Sequence, residues 1–131
     1  MAGIAGDEES RQKRGVLTSP NYPQLYPNNH DSTQTIKVAE GKTIWILLDK
    51  FNTEREYDFV TLTDDDGTDL TDLTDRYNGE NRTTDGRTVL WGKKEDQLPF
   101  AYIPSNIVHV HFHTDRDTQR SGWRLEWTAE V

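Results

Sequence analysis

The sequence predicts an all-β fold, an antiparallel β-sandwich, on three observations. Apolar residues recur at every second position in short runs, the runs are separated by Gly, Pro, Asn and Asp, and no stretch repeats at the period of an amphipathic helix. The 131 residues include four Trp, five Tyr and four Phe, enough aromatic mass for a thin core although only 32% of the residues are hydrophobic. We expect one sandwich domain over residues 14–131, preceded by a flexible tail over the aperiodic, polar residues 1–13.

The strands follow in order. TIKVAEGKTIWILLDKF places Ile36 and Val38 before a Glu40-Gly41-Lys42 turn and Thr43 to Leu48 after it, which reads as a hairpin. In DFVTLTDDDG, Val60 and Leu62 share a face, and Asp64 to Gly67 form a turn. RTVLWGKKEDQLPFAYI reads as two strands around Gly92 to Asp96, with Pro99 restricting the second to an edge. SNIVHVHFH alternates Val108, Val110 and Phe112 with His109, His111 and His113, and GWRLEW closes the chain with Trp123, Leu125 and Trp127 on one face.

A formal charge of −8 argues against a nucleic-acid partner, which needs a basic face, and favours cationic partners or metal ions. With no cysteine there is no disulfide framework or thiol chemistry. No apolar run approaches the roughly 20 residues of a membrane span, and MAGIAGDEES lacks both the basic start and the apolar stretch expected of a signal peptide. Neither Gly-x-Ser-x-Gly, His-Glu-x-x-His nor a phosphate-binding glycine loop is present, so we expect a non-enzymatic module. The sequon at Asn81 is too common by chance to carry weight.

Two constellations bear on metal. The alternation that sends Val108, Val110 and Phe112 inward gathers His109, His111 and His113 on the outer face, where they either chelate a transition metal adventitiously or simply form a polar surface. The carboxylates differ. Asp58 shares the inward parity of Val60 and Leu62, and a buried carboxylate needs a partner or a metal. Glu54 and Glu56 precede it, and Asp115 and Asp117 lie in a second loop; such a gathering of hard oxygens suits Ca²⁺, the alternative being solvated acids paired with Arg55, Arg116 and Arg120. The run DDDGTDLTDLTD is no EF-hand, because aligning Gly67 with the loop glycine puts Leu62 and Leu73 at the two terminal ligand positions.

The stretch GVLTSPNYPQLYPNN, Gly15 to Asn29, resembles the opening of CUB domains. YDFVTLTDDDG, RYNG, SNIVHVHFHTD and SGWRLEW resemble further CUB motifs in the same order, so the likeness extends over nearly the whole chain. Ser32 and Asn78 stand where the family usually has cysteine, Gln34 where it usually has Trp, and residues 82–98 resemble an added hairpin. The paired loss of cysteines fits a bridge-free lineage, a reducing environment or redesign.

The resemblance implies a Greek-key or jelly-roll sandwich with a Ca²⁺ site. Its ligands would be Glu54, or Glu56 in its place, with Asp58, Asp115, Asp117 and Thr118, and Tyr26 beside them. It further implies a protein partner presenting Lys or Arg to the calcium-ordered loops, in an extracellular protein or assembly; a cytoplasmic location stays open. Two alternatives remain: a carbohydrate-binding sandwich using Tyr22, Tyr26, Trp91 and Tyr102, and a purely structural module.

Overall fold

The computed structural model describes residues 13–55, 57–71, 89–94 and 98–131. The expected tail through residue 12, the candidate ligand Glu56, the cysteine-equivalent Asn78, the sequon at Asn81 and most of the 82–98 stretch lie outside the described residues.

Among the described residues the strands are β1 (Arg14–Thr18), β2 (Asp31–Lys37), β3 (Thr43–Asn52), β4 (Phe59–Thr63), β5 (Lys93–Lys94), β6 (Phe100–Ile103), β7 (Ile107–His113) and β8 (Gly122–Glu130). One sheet runs β1-β8-β3-β5 with β6 also on β3, the other runs β2-β7-β4, and every pairing is antiparallel. The chain is thus a two-sheet antiparallel sandwich, the predicted class.

Two local readings are corrected. β2 and β3 are not a hairpin: β2 pairs with β7 in one sheet and β3 with β8 in the other, so the turn at Gly41 (φ 88°) is a crossover between sheets. Alternation dictates which face is buried, and Ile36 and Ile44 both bury against the same core from opposite sheets. Nor do β5 and β6 pair with one another. Both lie antiparallel to β3, on Phe51–Asn52 and on Ile44–Leu47 respectively, as successive pieces of one edge, which agrees with the edge position expected from Pro99.

The core forms between the sheets from Ile36, Ile44, Ile46, Leu48, Val60, Leu62, Val108, Val110, Leu125 and their neighbours. Each buried aliphatic side chain contributes about 1.5–3 kcal/mol of transfer free energy. Toward one end, Phe112 meets Tyr26 edge-on at 5.1 Å and Trp123 at 5.8 Å, and this aromatic column fixes Tyr26, which is fully buried. Gly122 (φ 87°) starts β8 there, where an added Cβ would overlap the Ser19 side chain, whose hydroxyl accepts the Trp123 N–H at 2.9 Å.

Candidate metal centre

The centre is assembled where β7 ends. Inward parity continues one residue past Phe112 to Thr114, which is 2% exposed. There the chain exchanges its ladder for loop contacts. Thr114 donates its N–H to the His30 carbonyl (2.8 Å) and its hydroxyl to the Pro27 carbonyl (2.9 Å), and the same hydroxyl accepts the His30 N–H (2.8 Å). Asn29 N–H then donates to the Asp115 carbonyl at 2.7 Å. The strand therefore ends before Asp115, which strict alternation would have sent to the histidine face.

Asp58 lies beneath, fully buried, as its parity predicts. Its Oδ2 accepts the Tyr26 hydroxyl at 2.6 Å and its Oδ1 accepts the Asp115 N–H at 2.8 Å. Tyr26 in turn accepts the Glu54 N–H at 3.0 Å, and the Thr53 hydroxyl donates to the Asp58 carbonyl at 2.8 Å. One chain of hydrogen bonds thereby positions both loops that carry the acids. Burial pushes the Asp58 carboxyl above its usual range against the pull of the Tyr26 and Asp115 hydrogen bonds, and burial together with Asp58 pushes the Tyr26 phenol up as well.

Above this floor Glu54, Asp115 and Asp117 each bring a carboxylate oxygen within 4.8 Å of the other two. Glu54 Oε1 is buried and accepts no hydrogen bond among the described residues. Burial raises the Glu54 carboxyl; the Thr118 hydroxyl opposes the rise, and Asp115 adds to it. Thr118, in the left-handed region (φ 66°), donates its hydroxyl to Asp117 at 3.0 Å, and Asp117 N–H donates to Asp115 at 3.3 Å. A buried acceptor without a donor, facing two further carboxylates, is costly unless a cation serves all three. All the donors are hard oxygens, so the residues fit Ca²⁺.

The structure thus brings Glu54, Asp115 and Asp117 together, with Thr118 joined through Asp117. Asp58 and Tyr26 stand behind as supports, Asp58 with both oxygens already engaged. Of the arginines considered as partners for these acids, Arg55 lies over the Trp91 ring at 5.4 Å and Arg120 donates to the Gln119 carbonyl. Thr53 was not singled out from the sequence, whereas strict alternation itself requires the strand to end or bend at Thr114 if Asp115 is to join Asp58.

The histidines occupy a separate outer face. His111 and His113 both contact Asp31, at 2.6 and 3.0 Å, His109 contacts Asp65 at 3.1 Å, and Thr35 and Thr61 meet His109 and His111. This is a hydrogen-bonded polar surface. The aromatic residues considered for sugar binding do not form one platform: Tyr26 is in the core and Tyr102, 65% exposed, packs on Trp45 at the far end of β3 from Trp91, while Tyr22 lines a groove that adjoins Trp91's.

The family profile of the CUB domain matches residues 6–127. The chain belongs to the CUB domain family. Cubilin of Rattus norvegicus is 27% identical over 126 residues, which make up 96% of this chain and 3% of cubilin. Among solved structures, the CUB1-EGF-CUB2 domain of human MASP-1/3 matches with a TM-score of 0.68 at 25% identity, over 90% of this chain and 39% of that one. The MASP-1 CUB2 domain bound to Ca²⁺ matches with a TM-score of 0.64 at 23% identity, over 89% of this chain and 93% of that one. This CUB domain contains no cysteine, so its two sheets are joined without disulfides. No helix among the described residues is long and apolar enough to cross a membrane.

Proposed function

We propose that this CUB domain is a non-catalytic, extracellular interaction module that binds Ca²⁺ through Glu54, Asp115 and Asp117, with Asp58 and Thr118 completing or supporting the site. The observation that carries the reading is Glu54 Oε1, buried and without a hydrogen-bond partner among the described residues, facing two more carboxylates. The calcium-bound MASP-1 CUB2 domain, which shares the fold, adds support. Bound calcium would lock the 26–30, 53–58 and 114–118 loops, which are already linked through Asp58, Tyr26 and Thr114.

Three carboxylates over-compensate a divalent ion, so the loaded site still attracts a cationic group. Lys or Arg of a protein partner is the natural complement, through a charge-assisted hydrogen bond to a carboxylate oxygen. The extracellular location is part of the same proposal; the full extracellular region of zebrafish Gpr126/Adgrg6, which shares the fold at a TM-score of 0.69 and 21% identity, is consistent with it.

A calcium titration followed by heteronuclear NMR tests the site. Amides of the three loops should shift together while the histidine strand stays still; shifts confined to residues around His111 would refute it. Capture on an immobilised lysine-rich peptide in calcium, with release by chelator, tests the partner chemistry; chelator-insensitive capture would reject it.

A further inference from the structure

The chain enters β1 through the run Arg11-Gln12-Lys13-Arg14-Gly15. Of this run the described part is Lys13 to Gly15; Lys13 and Arg14 are exposed, and neither makes an ion pair among the described residues. β1 is the outermost strand of its sheet among the described residues. The Lys13 carbonyl accepts the Ala129 N–H at 2.7 Å, and the register continues with Arg14 opposite Thr128 and Gly15 opposite Trp127. Backbone groups alternate along an antiparallel ladder, so the Arg14 carbonyl points away from β8 toward the open side. Thr18, of the same parity, shows the direction: its carbonyl accepts the Gln34 side-chain N–H at 3.0 Å rather than a donor of β8.

We propose that the peptide bond between Arg14 and Gly15 is a processing site for a serine endoprotease that recognises Arg-x-Lys-Arg. Such an enzyme takes its substrate as an extended strand, with the basic side chains paired to carboxylates of its cleft. Hydrolysis breaks the C–N bond, adds the hydroxyl of water to the Arg14 carbonyl carbon and leaves the proton on the Gly15 nitrogen, so water is the one co-reactant. Access requires release of only the first ladder steps of an outer strand, where local opening costs least. The core contacts of β1 begin at Leu17, so Val16 to Thr18, opposite Glu126 to Arg124, hold the strand after the cut. Gly15 already lies against the Trp127 ring, where an added Cβ would come within 2.7 Å, and the new ammonium forms beside that ring. The cut also removes Lys13 and Arg14 from the lining of a groove of about 620 Å³ that Leu17, Ile36 and Trp127 share. The chain has one other adjacent basic pair, Lys93-Lys94, with Trp91 where Arg11 stands in the first. That pair is held in β5 against Phe51 and Asn52, and both of its side chains are engaged.

The test is digestion of the folded chain with a furin-type endoprotease, followed by intact mass and N-terminal sequencing. A single cut is expected, giving a product that begins GVLTSPNYP and still melts cooperatively. Arg14→Gln should abolish the cut, and Arg11→Ala should slow it about tenfold or more, the scale of one lost charge-assisted contact. Lys94→Gln should leave the rate unchanged. Resistance of the folded chain while the urea-unfolded chain is cut at Arg14 would overturn the proposal, because the ladder to β8 would then block the bond. A cut after Lys94 as fast as that after Arg14, a wild-type rate in Arg11→Ala, or a product that no longer folds would overturn it equally.

Discussion

β7 and the loop that follows it carry two groups of metal-capable side chains a few residues apart, and the structure treats them oppositely. On the outer face, His109, His111 and His113 meet Asp31, Asp65 and threonine hydroxyls, so the polar groups there satisfy one another in a partly solvated layer. Past Thr114, Asp115 and Asp117 join Glu54, one of whose oxygens is buried with no donor among the described residues. The more conspicuous ligands are the satisfied ones. What marks a candidate ion site is polar capacity left unused in a place water does not reach, not the kind of ligand.

The strongest way to break this contrast is to remove the floor of the acid site. Asp58→Ala leaves the Tyr26 hydroxyl and the Asp115 N–H without their acceptor, and should cost about 3 kcal/mol or more in urea unfolding, the scale for two buried hydrogen bonds to a charged group. Asp58→Asn, which keeps one acceptor oxygen, should cost less; equal losses would mean that packing rather than hydrogen bonding sets the cost.

Next in size is calcium itself. At a free concentration one hundred times the dissociation constant it should stabilise the domain by about 2.7 kcal/mol, visible as a rise in melting temperature. Asp115→Asn should abolish that rise, whereas His111→Ala should preserve it.

Acidity should separate the two regions further. Glu54 and Asp58 are raised above their ordinary values of 4.5 and 3.8, so in that window the metal-free folded state holds more protons than the unfolded chain. This contribution to stability is full below the ordinary values and is lost as pH rises through the raised ones. Calcium needs the ionised carboxylates, so its stabilisation should grow over the same window. Asp31 behaves in the reverse sense: its hydrogen bonds with His113 and then His111 lower it, so its contribution is present above 3.8 and is lost as pH falls through the lowered value. Melting curves over a pH series with and without chelator would resolve the two windows, and a calcium effect independent of pH would count against the acid site.

The smallest effect belongs to the histidine face. His109→Ala should change stability by about 0–1 kcal/mol, the scale of a surface polar pair, with calcium response intact.

How far the sequence carried this picture depends on what alternation can encode. Period two specifies the buried face, so Asp58, Phe112 and Trp123 were placed correctly in the core. It does not say which sheet a strand joins, and Ile36 and Ile44 looked like two arms of a hairpin although their strands lie in opposite sheets. Motif resemblance brought Glu54, Asp115 and Asp117 onto one list. Their meeting depends on Thr114 ending the strand, a tertiary event set by the Pro27 and His30 backbone groups more than eighty residues away in sequence. Tyr26 was expected beside the site; its role as the link between Glu54 N–H and Asp58 required coordinates.

The central claim is that an unsatisfied Glu54 oxygen marks a calcium site. Calorimetric titration of calcium into the wild type and into Glu54→Gln tests it most directly, with Asp31→Asn as the control on the histidine face. The account predicts one saturable site in the wild type, retained in Asp31→Asn and lost in Glu54→Gln, with the metal-free Glu54→Gln protein no less stable than wild type. Absence of saturable binding in the wild type, or loss of the site in Asp31→Asn with retention in Glu54→Gln, would contradict it.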